Sequence, residues 1–115
     1  MAFAIKKRDS YRWTVEHVIG KIKGKQELMS FDAEFKALPQ ARLDEMMTLA
    51  QVGKLSNGTL LDEVLVGWHD LSRDEAEFTY GKTNLDMLAE LYPGILGSIV
   101  RAYMDSIVGA AATKN

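Results

Sequence analysis

The side chains of this 115-residue chain that could do chemistry are few and scattered. His17 and His69 are its two histidines, and they fall in separate segments, without the close spacing that sets two imidazoles on one metal. Three acid pairs, Asp44-Glu45, Asp62-Glu63 and Asp74-Glu75, could share acid and base roles, but each also fits a solvated helix start or loop. Cysteine is absent, which removes disulfides, thiolate metal sites and thiol nucleophiles and suits a reducing compartment. There is no Gly-x-Ser-x-Gly elbow, phosphate loop or dinucleotide fingerprint, and Gly20 and Gly24 in a turn do not replace one. The sequence thus nominates no catalytic, cofactor-binding or metal-binding residue, and the expectation is a protein that is not an enzyme and uses no cofactor.

Charge and hydropathy narrow the partners. The formal net charge is −2, with acids and bases interspersed, too little to steer a charged ligand. Lys6-Lys7-Arg8 with Lys21, Lys23 and Lys25 could gather into a small basic patch, but without the stacking aromatics or helix N-terminus of a phosphate site, so nucleic acid is not an expected partner. No apolar run approaches the ~20 residues of a membrane span, and the opening Met-Ala-Phe-Ala-Ile precedes its basic cluster, the reverse of a signal peptide. A soluble intracellular protein without membrane contact is expected. Trp13 and Trp68 are candidate anchors for a ligand, and each also sits in the apolar phase of its own segment, where core packing would use it.

The elements that would carry these residues follow from periodicity. Tyr11, Trp13, Val15, His17 and Ile19 alternate with Arg12, Thr14, Glu16 and Val18, which predicts a strand with one wet face. A turn over Gly20–Gly24 and a second alternating run, Met29 to Phe35, complete a β-hairpin of open register. Pro39 opens a helix carrying Leu43, Met46, Met47 and Ala50 and closed by Gly53. After the break at Asn57-Gly58, Thr59 and Asp62 form a capping pattern for a shorter helix through Leu60, Leu61, Val64, Leu65 and Trp68. His69 to Lys82 reads as a surface loop or short hairpin. Thr83 with Asp86 starts a helix through Leu91, which Pro93-Gly94 ends, and a final helix runs from about Ile95 to Val108. At this length one domain, residues 1–115, buries roughly 65% of its extended-chain surface; segments 1–8 and 110–115 are expected to be flexible. The predicted class is α+β: an N-terminal antiparallel β-hairpin or small sheet packed on about four α-helices, the last one long.

That last helix is unusual in its apolar breadth. At 100° per residue, Ile95, Leu96, Ile99, Val100, Tyr103, Met104, Ile107 and Val108 cover an arc of roughly 220°, wider than the stripe of an ordinary surface helix. Either it is the central helix of its own subunit, or part of the arc meets another chain. The methionines at helical spacing, Met46, Met47 and Met104, serve equally as core fillers or as an adaptable interface.

Taken in order, the strand with Trp13, Phe31-Asp32-Ala33-Glu34-Phe35-Lys36-Ala37-Leu38-Pro39, Val66-Gly67-Trp68, Phe78-Thr79, Asn84-Leu85-Asp86, Pro93-Gly94, Ile99-Val100-Arg101-Ala102-Tyr103 and Gly109-Ala110-Ala111 resemble the tail assembly chaperones of long-tailed, siphovirus-type bacteriophages and prophages. The likeness spans nearly the whole chain, and Ser72 to Glu77 departs from it in being more acidic. The resemblance implies a non-enzymatic protein of the host bacterial cytoplasm that coats the tape measure protein and helps recruit the major tail tube protein. It also implies self-association into a ring or spiral, and departure before the virion is finished. The family supplies no catalytic motif to carry over; an interface on Leu96, Val100, Tyr103 and Met104 is what it suggests here. A structural tail protein retained in the virion, such as a tube-completion or connector subunit, is the alternative.

Overall fold

The computed structural model describes residues 8–73 and 76–112. Of the expected loose ends 1–8 and 110–115, residues 1–7 and 113–115 lie outside the described residues, as does the pair Asp74-Glu75, while 110–112 continue the last helix. Two long strands, β1 (Ser10–Ile22) and β2 (Lys25–Lys36), form the antiparallel hairpin that the alternating pattern predicts. The turn is tighter than expected. Lys23 (φ 52°) and Gly24 (φ 82°) form a two-residue connection with both central residues in the left-handed region, the geometry whose twist matches the strands it joins. Pairing runs regularly from Ser10↔Lys36 to Val18↔Leu28 and then shifts, because Ile19 is accommodated as a bulge.

The sheet has a third strand, β3 (Leu65–His69), antiparallel to β2 and placed on its far side, giving the order β1-β2-β3. This corrects the expectation of a helix through Trp68. Helix α2 (Asn57–Val64) stops four residues earlier than Trp68, and Leu65, Val66 and Gly67 extend instead. The same apolar residues satisfy a helical period, but pairing beside Ala33 places Trp68 on the buried face of the sheet. The N-cap also moves: Ser56 Oγ accepts from the Thr59 backbone N–H at 3.1 Å, so Asn57-Gly58 opens α2 rather than separating it from the preceding segment.

Helix α1 (Gln40–Gln51) begins at Pro39, with Gly53 (φ 72°) just beyond its end. Short strands β4 (Ser72–Arg73) and β5 (Ala76–Glu77) pair as a small hairpin. Helix α3 (Lys82–Leu91) is preceded by Gly81 at its N-cap, with no side-chain cap. The Thr83 capping pattern is therefore not used; Asn84 Nδ2 instead donates to the Thr79 carbonyl. The Pro93-Gly94 corner leads into α4 (Ile95–Ala112), which continues past the expected end at Val108.

The odd-numbered side chains of β1 and β2, among them Val15, Phe31, Ala33 and Phe35, form the inner face and are buried with Leu65 and Trp68 from β3. Met46 of α1, Leu60, Leu61 and Val64 of α2, Leu85 and Leu88 of α3, and Ile95, Ile99, Ala102 and Tyr103 of α4 close over them. The result is an α+β fold in which helices cover one face of a three-stranded sheet. The other face carries Arg12, Thr14, Glu16, Ser30, Asp32 and Glu34 toward solvent, as one-sided alternation requires.

Candidate functional site

The long apolar arc of α4 is mostly consumed by its own subunit. Tyr103 is 1% exposed, edge-on to Phe35 with ring centroids 5.1 Å apart, and its burial pushes the phenol pKa up to about 12. This removes Tyr103 from the proposed interface: it is a core residue, because the sheet's inner face reaches the side of the helix on which it lies. Leu96, Val100 and Met104 are half-buried against the core, successive i, i+4 positions on one stripe. Val108 is exposed farther along. Two side-chain bonds fix the helix to β1. His17 Nδ1 and Ser98 Oγ lie 2.7 Å apart, and so do Tyr11 Oη and Ser106 Oγ. Ser106 Oγ also donates back to the Tyr103 carbonyl at 2.6 Å.

Residues with chemical potential in the sequence are engaged in holding elements together. His69 Nε2 contacts Glu34 Oε1 at 2.8 Å, and Ser10 donates to the other Glu34 oxygen; these hydrogen bonds, Ser10's first, hold the carboxyl below its ordinary value. Arg42 grips Glu63 through two nitrogens at 2.7 and 2.6 Å and reaches Glu45 at 3.1 Å, which lowers the Glu63 pKa and raises that of Arg42. Asp62 accepts from Lys82 at 3.1 Å, and Asp44 from Gln40 at 2.9 Å. Each described acid pair is thus a set of helix-surface contacts. Among the described residues, no group of three or more His, Asp or Glu is placed to hold a metal ion, and no helix is long and apolar enough to cross a membrane.

Trp68 is a core residue rather than a free anchor. Its Nε1 donates to the Phe78 carbonyl at 2.6 Å, its ring stacks on Phe78 at 5.8 Å and meets Tyr80 edge-on at 5.1 Å. Tyr80 Oη in turn donates to the Leu65 carbonyl at 3.0 Å. These contacts fasten segment 78–80 to the sheet and leave the other side of Phe78 facing a cleft. Trp13, by contrast, is half-buried beside α4.

The cleft has a volume of about 270 Å³ and is lined by Met29, Leu71, Ser72, Phe78, Leu88, Leu91 and Tyr92. All but Ser72 present apolar surface, and Leu91 at the end of α3 is 53% exposed. A second apolar feature lies on the far half of the hairpin. Val18 and Leu28 face each other across the strands, 45% and 49% exposed, with Ile19 of the bulge also exposed. Open apolar arrangements with adaptable Met and Leu side chains suit contact with other apolar side chains. The cleft draws on β2, the 71–80 segment and α3, so no single stretch of sequence announces it. The Val18/Leu28 pair does leave a signal, since both are apolar residues in the wet phase of their strands.

No family model, curated protein or solved structure matches the chain.

Proposed function

We propose that the protein is a tail assembly chaperone of a long-tailed bacteriophage or prophage, which binds and solubilises the tape measure protein in the host cytoplasm and helps recruit tail tube subunits. The carrying observation is grouped apolar surface left uncovered at the Met29–Leu91 cleft and at the cross-strand pair Val18/Leu28. A long helix with an exposed apolar face aggregates unless covered. One shallow cleft holds one or two of its side chains weakly, and many copies in a ring or spiral hold it through multivalency. The ordered likeness of the sequence to this family supports the same reading, and the α+β fold is compatible with it. Leu96, Val100 and Met104 remain the part of α4 offered to a neighbouring subunit.

Co-expression tests the reading directly. The protein should keep the tape measure protein in the soluble fraction, and Leu91→Asp combined with Leu28→Asp should lower that fraction while the variant stays folded by circular dichroism. Unchanged precipitation of the tape measure protein with the unmodified chain would rule the chaperone out. Mass spectrometry of purified virions separates it from a retained tail subunit, which would be present in fixed copy number.

A further inference from the structure

A further groove, of about 440 Å³, opens at the start of β1 between the strand, α1 and the later turns of α4. Tyr11, Trp13, Leu38, Leu43 and Ile107 line it, each packed against the core on one side and open to the groove on the other. Arg12 also borders it, but its guanidinium is held by Asp32 and Asp70, so it adds a hydrocarbon stem to the wall rather than a free charge. Arg8, the first described residue, stands at the rim.

The chain that enters the fold at Arg8 supplies an occupant. Ala37 N–H donates to the Asp9 carbonyl at 2.9 Å, which carries the β1–β2 ladder past Ser10. The next donor position on that side is Pro39, which has no N–H, so the ladder has nothing at 39 with which to hold the chain before Arg8. The seven residues ahead of Arg8 read Met-Ala-Phe-Ala-Ile-Lys-Lys. Counted back two by two from Tyr11, Ile5 and Phe3 fall in the phase of the sheet's inner side. At roughly 3.3–3.6 Å per residue they lie within about 11 and 18 Å of Arg8, so a groove that begins at Arg8 is in reach of both. A tether this short gives an effective concentration of about millimolar, which a free apolar ligand of the same kind has to exceed.

We propose that segment 1–7 of the chain covers this groove in its own subunit, with Phe3 and Ile5 seated against Leu38, Leu43 and Ile107 and with Lys6 and Lys7 kept at the surface. The segment then acts as a strap that ties the start of β1 to α1 and α4. It closes this groove to other apolar partners and leaves the Met29–Leu91 cleft and the Val18/Leu28 pair open. The strap stands apart from the chaperone reading, and either survives the failure of the other.

NMR of the labelled full chain tests it. Phe3 and Ile5 should show nuclear Overhauser contacts to the methyl groups of Leu43 and Ile107, and backbone order parameters for residues 3–6 should approach about 0.85. In the double variant Phe3→Asp, Ile5→Asp those contacts should vanish and the order parameters should fall below about 0.6. The same variant should shift the indole resonance of Trp13, which lines the groove, and leave that of Trp68, bonded to the Phe78 carbonyl in the core, where it was. Order parameters below about 0.6 in the native chain, or a Trp13 resonance that the variant does not move, overturn the proposal. So do contacts found only between differently labelled chains in a mixed sample, which would make the occupant another copy's segment.

Discussion

The two halves of the β1–β2 hairpin have the same pairing and opposite fates. From Ser10 to His17 and from Met29 to Lys36, the inner side chains lie under helices: Val15, Phe31, Ala33 and Phe35 are buried, and α4 is bonded to the strand at Tyr11 and His17. Toward the tip the ladder passes the bulge at Ile19 to the Lys23-Gly24 turn, and there Val18 and Leu28, on the outer face, and Ile19 are exposed, Val18 and Leu28 beside a groove that α4 also lines. Hydrophobic character in the first half is accounted for by the fold. In the second it contributes little to the fold, and so it is the more informative half about what the molecule meets.

The largest expected effect tests the covered half. Phe35→Ala empties a site packed by Tyr11 and Tyr103 and should cost about 3–5 kcal/mol in urea unfolding; a much smaller loss would mean that the inner face does not carry the fold. Next comes Ser106→Ala, which takes away the hydroxyl that meets Tyr11 and bonds the Tyr103 carbonyl. It should cost about 1–2 kcal/mol, measured the same way.

Titration sharpens the contrast without mutation, since Glu34, Glu63 and Tyr103 all lie outside the bare half of the hairpin. Glu34 and Glu63 have folded pKa values below their ordinary 4.5, so the unfolded chain binds more protons there. Their stabilisation is complete above that pH and is lost as pH falls through the folded values. Tyr103 has the opposite sign. Its phenol stays neutral to about 12 when folded against an ordinary 10, so its contribution is whole below pH 10 and disappears as pH rises toward 12. Midpoints of urea unfolding across pH should decline on both sides, and Glu63→Gln should flatten the acid side.

The smallest effect on stability belongs to the bare half. Leu28→Ser and Val18→Ser should stay within about 0.5 kcal/mol of the parent, while the soluble yield of co-expressed tape measure protein falls. A large destabilisation would erase the distinction between the halves.

The sequence made this contrast partly legible. Alternation located both strands and the inner residues, because a sheet with one dry face writes its pattern locally. It did not reveal β3, since Leu61, Val64, Leu65 and Trp68 suit a helical period as well as a strand beginning, and only the vacant side of β2 decides between them. Thr59 looked like a cap because it stands three residues before Asp62; the chain caps three residues earlier, with Ser56. Periodicity placed Tyr103 with Leu96, Val100 and Met104 on one arc, yet which part of an arc meets its own sheet depends on packing that no single helix encodes. The cleft was illegible for a related reason, its walls coming from residues as far apart in the chain as Met29 and Tyr92.

Fastening α4 to β1 at two places has a mechanical consequence. The helix is held at two points of one strand, Ser98 to His17 and Ser106 to Tyr11, and that strand runs on past the bulge at Ile19 to the Lys23-Gly24 tip. A load applied at the tip therefore travels down a hydrogen-bonded ladder into the helix rather than dissipating in a loop. Hairpin and helix are thereby coupled through the two side-chain bonds and the buried Phe35–Tyr103 contact.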